Sequence, residues 1–83
     1  MSQDVRQDFN VQVGAWLKSS RLKAGLEVET VAGEMGIPVM FIDGFESGKG
    51  TIPAKMLVWL VRLYQVPSDE FARFLLAIQR PIQ

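Results

Sequence analysis

The sequence predicts an all-α fold: a compact domain of five short helices behind a flexible N-terminal arm. Three observations predict it. Apolar residues recur at helical spacing in five separate windows. Glycine or proline stands in every gap between those windows, at Gly25, Gly36, Gly48–Gly50, Pro53 and Pro67. No stretch alternates apolar and polar residues with the period of two that a half-buried strand requires.

Residues 1–10 are polar and aperiodic and are expected to form the arm. The rest, 11–80, is expected to be one helical domain. Helix one is expected over about 11–24, with Val13, Leu17, Ser20 and Ala24 facing the core and Gly25 as its C-cap. Helix two spans about 28–35, with Val31, Ala32 and Met35 inward, and ends at Gly36. Helix three spans about 39–47, with Ile42 and Phe45 inward and Phe41 beside them at i,i+4 from Phe45. Pro53 opens helix four, about 53–64, where a missing N–H costs nothing, and Leu57, Leu60, Val61 and Tyr64 are its buried side. Gln65-Val66-Pro67 is a turn. Ser68 caps helix five, about 68–79; Asp69 and Glu70 suit its N-terminal dipole, Phe71, Phe74, Leu75 and Ile78 form its stripe, and Pro81 ends it.

Composition removes several function classes. The 83 residues suffice for a single small domain with a thin stability margin, which dimerisation would widen. There is no cysteine, so neither a disulfide framework nor a thiolate metal site, and no histidine, so neither the usual general base nor the commonest metal ligand. Nine basic and nine acidic residues cancel, and the isoelectric point is about 6.2; a free-standing nucleic-acid binder usually carries a basic excess. The longest apolar run, Met56–Val61, is far short of the roughly 20 residues that span a bilayer, and the first residues lack the apolar core of a signal peptide. The chain is expected to be soluble and cytoplasmic, with no membrane partner. Yet 48% of its residues are hydrophobic and its mean hydropathy is +0.14, an excess for so small a domain that implies apolar surface facing a partner.

The order Val13-Gly14, Leu17, Arg21, Gly25-Leu26, Val31-Ala32, Met35-Gly36-Ile37, Ile42, Phe45-Glu46, Gly48-Lys49, Leu57, Leu60 and Val66 resembles the lambda-repressor-like, or XRE, helix-turn-helix family over residues 13–71. The resemblance implies the five-helix fold of that family, with helix three as the recognition helix, Ala32 as the small residue that lets helices two and three approach, and Gly36 at the turn position that favours positive φ. It also implies that Arg21 and Glu46 form a structural ion pair between helix one and the end of helix three, a guanidinium fork on a carboxylate.

The family's usual DNA contacts come from the first residue of helix two and the first exposed residues of helix three. Here those positions hold Val28, then Val39, Met40, Asp43 and Gly44. Residues 39, 40 and 43 share a helical face, so the expected contact face is apolar with one negative charge. Valine and methionine can touch a thymine methyl, and an aspartate can accept from a cytosine amino group but repels phosphates. Lys49 and Lys55 stand where the resemblance implies phosphate contacts; such contacts position a protein without reading sequence. Trp16, Leu22 and Trp59 occupy positions commonly polar and exposed in the family, so the arm, another chain or the domain's own core must cover them. With Phe74 and Ile78 of helix five they are the interface candidates.

Catalysis finds no support. Glu27 and Glu29 diverge around a helix, Glu46 is committed to Arg21, and Gly48-Lys49-Gly50 lacks both the spacing and the preceding strand of a phosphate-binding loop. No catalytic residue, metal ligand or cofactor is expected. The resemblance points first to a small transcriptional regulator that binds double-stranded DNA through helix three, as a dimer. The alternative is a repurposed helix-turn-helix that docks on another regulatory protein, or on itself, through the apolar helix-three face, as an antiactivator or adaptor would. A third reading is a structural assembly module whose interface is Trp16, Trp59 and helix five.

Overall fold

Five α-helices follow one another in the order α1 (Val5–Lys23), α2 (Val28–Met35), α3 (Val39–Ser47), α4 (Ala54–Leu63) and α5 (Ser68–Ile78). This is a computed structural model of the chain, which describes residues 5–78 and the side chains from residue 8. Among the described residues there is no strand and no helix long and apolar enough to cross a membrane. Residues 1–4 of the expected arm, and the expected end of the fifth helix at Pro81, lie outside the described residues.

The first four helices stop the same way. In each, two backbone N–H groups fold back on the last turn: Gly25 to Leu22 and Leu26 to Arg21; Gly36 to Gly33 and Ile37 to Ala32; Gly48 to Phe45 and Lys49 to Gly44; Gln65 to Arg62 and Val66 to Val61. This is the Schellman arrangement, which needs a left-handed residue at its pivot. Three pivots are glycine, with φ of 73°, 70° and 78°; the fourth is Gln65, at φ 58°. The residue after the pivot is apolar and packs on the core at Leu26, Ile37 and Val66. After α3 it is instead Lys49, which is exposed.

The core is a single cluster of Val13 and Leu17 from α1, Val31, Ala32 and Met35 from α2, Ile42 from α3, Leu60 and Tyr64 from α4 and its cap, and Ile78 from α5. The result is a compact all-α globule in which α3 packs against both α1 and α2. The α1–α3 crossing is the closest. A Cβ on Gly14 would press on the carbonyl oxygen of Phe45 and come within 2.7 Å of that of Glu46, and one on Gly48 would lie 2.7 Å from the Val11 Cα. Only glycine permits backbones to meet at this separation.

Three expectations need correction. Helix α1 begins at Val5, so residues 5–10, expected in the arm, are helical. The reason is tertiary: Asn10 Nδ2 donates to Thr51 Oγ1 at 3.2 Å, and Val11 backs onto Gly48, so this end of α1 is held by the loop after α3. Ala24 is exposed, because α1 ends at Lys23. Phe41 is half exposed: Ile42 and Val39 are the α3 side chains in or against the core, Phe45 is half-buried, and Phe41 lies outside that arc.

Candidate functional site

Helix α3 presents its surface just beyond a tight turn. Gly36 closes α2 at φ 70°, Pro38 sits extended at φ −65° and ψ 150°, and α3 starts at Val39. Proline's fixed φ and missing donor suit this entry. From there, side chains three and four apart line up along the exposed side: Met40, Asp43, Gly44 and Ser47.

The five residues expected on the contact face divide into two groups. Met40 is 70% exposed and Asp43 is also exposed. Val28 and Val39 are half-buried and packed against the core, so they offer much less free surface than Met40. Gly44 is half-buried, and no atom outside its own helix lies within 4 Å of where its Cβ would stand. A side chain at this position would meet open space.

The charge map is segregated along the chain. Between Glu27 and Ser47 stand five carboxylates and no lysine or arginine. Among the described residues Glu46 alone of the five has an ion-pair partner: Arg21 Nε donates to its Oε2 at 2.7 Å and Nη2 to its Oε1 at 3.0 Å, with both side chains less than a tenth exposed. Arg21 Nη1 also donates to the Leu26 carbonyl oxygen at 2.8 Å, so one guanidinium ties the α1–α2 corner to α3. The hydrogen bond that Arg21 donates to Glu46 holds the Arg21 pKa above its ordinary value, against the opposing effect of burial. Burial, and then the Glu46 carboxylate, push the Tyr64 phenol up to about 12. Glu27, Glu29, Glu34 and Asp43 are all exposed. Glu27 and Glu29 stand at the N-terminal end of α2, where the helix dipole favours negative charge, so two carboxylates already stand where a phosphate would otherwise be attracted.

The next stretch is the opposite. Between Gly48 and Ser68 stand Lys49, Lys55 and Arg62 and no acidic residue. All three are exposed. Lys49 follows the α3 cap and Lys55 lies in the first turn of α4. On α4, Lys55, Val58, Trp59 and Arg62 share a face at i, i+3, i+4 and i+7, and with Ala54 and Leu63 they line a shallow groove. Trp59 is 54% exposed and Val58 nearly as much.

The remaining interface candidates behave differently from one another. Trp16 stacks inside the domain, its ring 4.3 Å from that of Phe74 at 8° and 5.7 Å from that of Phe71 at 23°. Trp16 and Phe74 are half-buried and Ile78 is buried, so these three join α1 to α5 rather than offering a free surface. Leu22 is exposed and stands on α1 beside Lys18 and Ser19. Phe41, which the protein-docking alternative places beside Val28, Val39 and Met40 on the apolar helix-three face, is exposed, and Val58 belongs to the exposed surface without being among the expected contact residues. For Val58 the signal is the run Met56–Val61, since a helix with six apolar residues in a row must show some of them to solvent.

Among the described residues no three acidic side chains gather as a metal site would require. No protein-family model, curated protein or solved structure matches this chain.

Proposed function

We propose that the chain is a small regulatory module of lambda-repressor-like helix-turn-helix architecture that works by docking on protein through the exposed side of α3, and not by reading base sequence. The observation that carries this reading is the stretch from Glu27 to Ser47: Met40 and Phe41 are exposed on α3 with exposed Asp43 on the next turn, three more exposed carboxylates (Glu27, Glu29, Glu34) belong to α2 and its cap, and the stretch holds no cation. A recognition helix in the major groove runs between two rows of phosphates, and duplex DNA carries one negative charge per roughly 1.7 Å of axis. Placing this surface there sets carboxylates against phosphates and leaves base edges facing a methionine and a phenylalanine, which supply no matching donors. Apolar side chains with an acidic rim suit a protein interface instead.

A second reading, DNA-binding regulation, is favoured by one observation: Lys49 and Lys55 are both exposed at the end of α3 and the start of α4. Two substitutions separate the readings. If duplex DNA is the ligand, Lys49→Ala and Lys55→Ala each weaken binding and lower its salt slope by about one. If protein docking is the function, the native chain and both lysine variants alike show no saturable binding to duplex. Met40→Glu, at a site open enough to leave the fold intact, then removes docking. Val39→Glu is not a clean probe of the surface, because Val39 packs on the core.

A further inference from the structure

We propose that the occupant of the α3 face is the α4 face of a second copy of this chain; the inference rests on the protein-docking reading above and names its partner. The two faces are complementary in charge, and each exposes apolar side chains. The α3 side is acidic, with apolar Met40 and Phe41 exposed and Asp43 next to them; the α4 side is basic, with apolar Val58 and Trp59 flanked by Lys55 and Arg62. From Glu27 to Ser47 there is no cation, and from Gly48 to Ser68 no anion. Charge therefore selects the pairing. Two α3 faces brought together oppose carboxylates, two α4 faces oppose ammonium and guanidinium groups, and only α3 against α4 sets unlike charges opposite each other. The net charge of the whole chain is zero, so no overall repulsion opposes association.

The shapes agree with this pairing. Tryptophan is the side chain most enriched where interfaces concentrate their affinity, and Trp59 stands out from the rim of a groove on α4. On α3 no atom outside the helix lies within 4 Å of where a Gly44 Cβ would stand, so the surface is open there, one turn after Met40 and Phe41. A glycine at such a point lets a partner's ring approach the helix closely.

The test is the mass of the native chain by sedimentation velocity over a concentration series at low and at physiological salt. The expected result is a mass above the 9.3 kDa monomer that falls with dilution and with added salt. A variant with Lys55→Glu and Arg62→Glu is expected to stay monomeric, and so is Asp43→Lys with Glu34→Lys. All four positions are exposed, and circular dichroism checks that each variant is folded. Mixing the two variants pairs an acidic α3 with a basic α4 and a basic α3 with an acidic α4, and association is expected to return. Gly44→Ala should weaken association while leaving the helix content unchanged. A native chain that is monomeric at every concentration overturns the proposal, as do variants that associate like the native chain and a mixture that stays monomeric. Failure of the underlying reading has a different signature: salt-sensitive affinity for duplex DNA carried by Lys49 and Lys55, whatever the mass.

Discussion

Arg21 and Glu46 are joined by two parallel hydrogen bonds, of 2.7 and 3.0 Å, in a nearly buried setting, and the third guanidinium nitrogen reaches the Leu26 carbonyl oxygen. One side chain thus holds α1, the α1–α2 corner and the end of α3 in register. Losing one member leaves the other charged and desolvated. Glu46→Gln is expected to lower the unfolding free energy by about 3 kcal/mol, at the low end for a broken buried pair. Arg21→Lys should recover only part of that, because an ammonium cannot fork. Urea unfolding followed by circular dichroism measures both; a loss within about 0.5 kcal/mol, the range of an ordinary surface substitution, would contradict this role.

Tyr64 gives a pH dependence with a definite sign. Its phenol is pushed from 10.0 up to about 12, chiefly by burial. A raised pKa means that the folded state favours the neutral phenol. The unfolded chain ionises first, so this contribution is whole below pH 10.0 and is lost as the pH climbs toward about 12. The amount at stake is on the order of 2 kcal/mol. Tyr64 is the only tyrosine, so phenolate absorbance follows it without interference. The native protein should ionise late and the urea-unfolded protein early; coincident curves would rule this out.

The two tryptophans should report opposite environments. Trp16 is stacked on Phe74 and Phe71, while Trp59 faces outward. In Trp16→Phe the remaining emission is expected to be red-shifted and open to iodide quenching in the dissociated chain. In Trp59→Phe it should be blue-shifted and protected. Trp16→Ala removes the stack between α1 and α5 and should cost about 3 kcal/mol, the low end for a buried aromatic. Equal quenching in the two Phe variants would contradict the stacked geometry.

Backbone geometry separates three substitutions that look alike in the sequence. Gly14→Ala drives a methyl into the Phe45 and Glu46 carbonyl oxygens and should be strongly destabilising. Gly44→Ala meets open space on a helix and should stabilise by up to about 1 kcal/mol. Gln65→Gly relieves a left-handed glutamine at φ 58° and should stabilise by a similar amount, about 1 kcal/mol. Thermal melts of the three variants give the order; a Gly14→Ala protein as stable as the native chain would refute the close α1–α3 crossing.

The helix pattern was legible because local chemistry writes it. Gly25, Gly36 and Gly48 pivot three helix ends at positive φ, and Pro38 and Pro53 stand just before α3 and α4. What could not be read are contacts between residues far apart in the chain. Trp16 stands at a position expected to be exposed, and its stack on Phe74 of the helix-five stripe exists only once α5 returns to α1. The start of α1 was hidden for the same reason, since Asn10 and Val11 are held by Thr51 and Gly48 and not by neighbours in sequence. On the contact face, period alone placed Val39 with Met40 and Asp43, but it does not say how wide the buried arc is. The packing takes Val39 inward and leaves Phe41 out.

The central claim is that α3 meets protein and not DNA, and titration of the native chain against a fluorescent random-sequence duplex tests it most directly. Anisotropy is followed at low and at physiological salt. The account predicts no saturable binding at either, and a gain of salt-sensitive affinity when Asp43 and Glu34 are both replaced by lysine. Micromolar binding by the native chain that collapses as salt rises would contradict it.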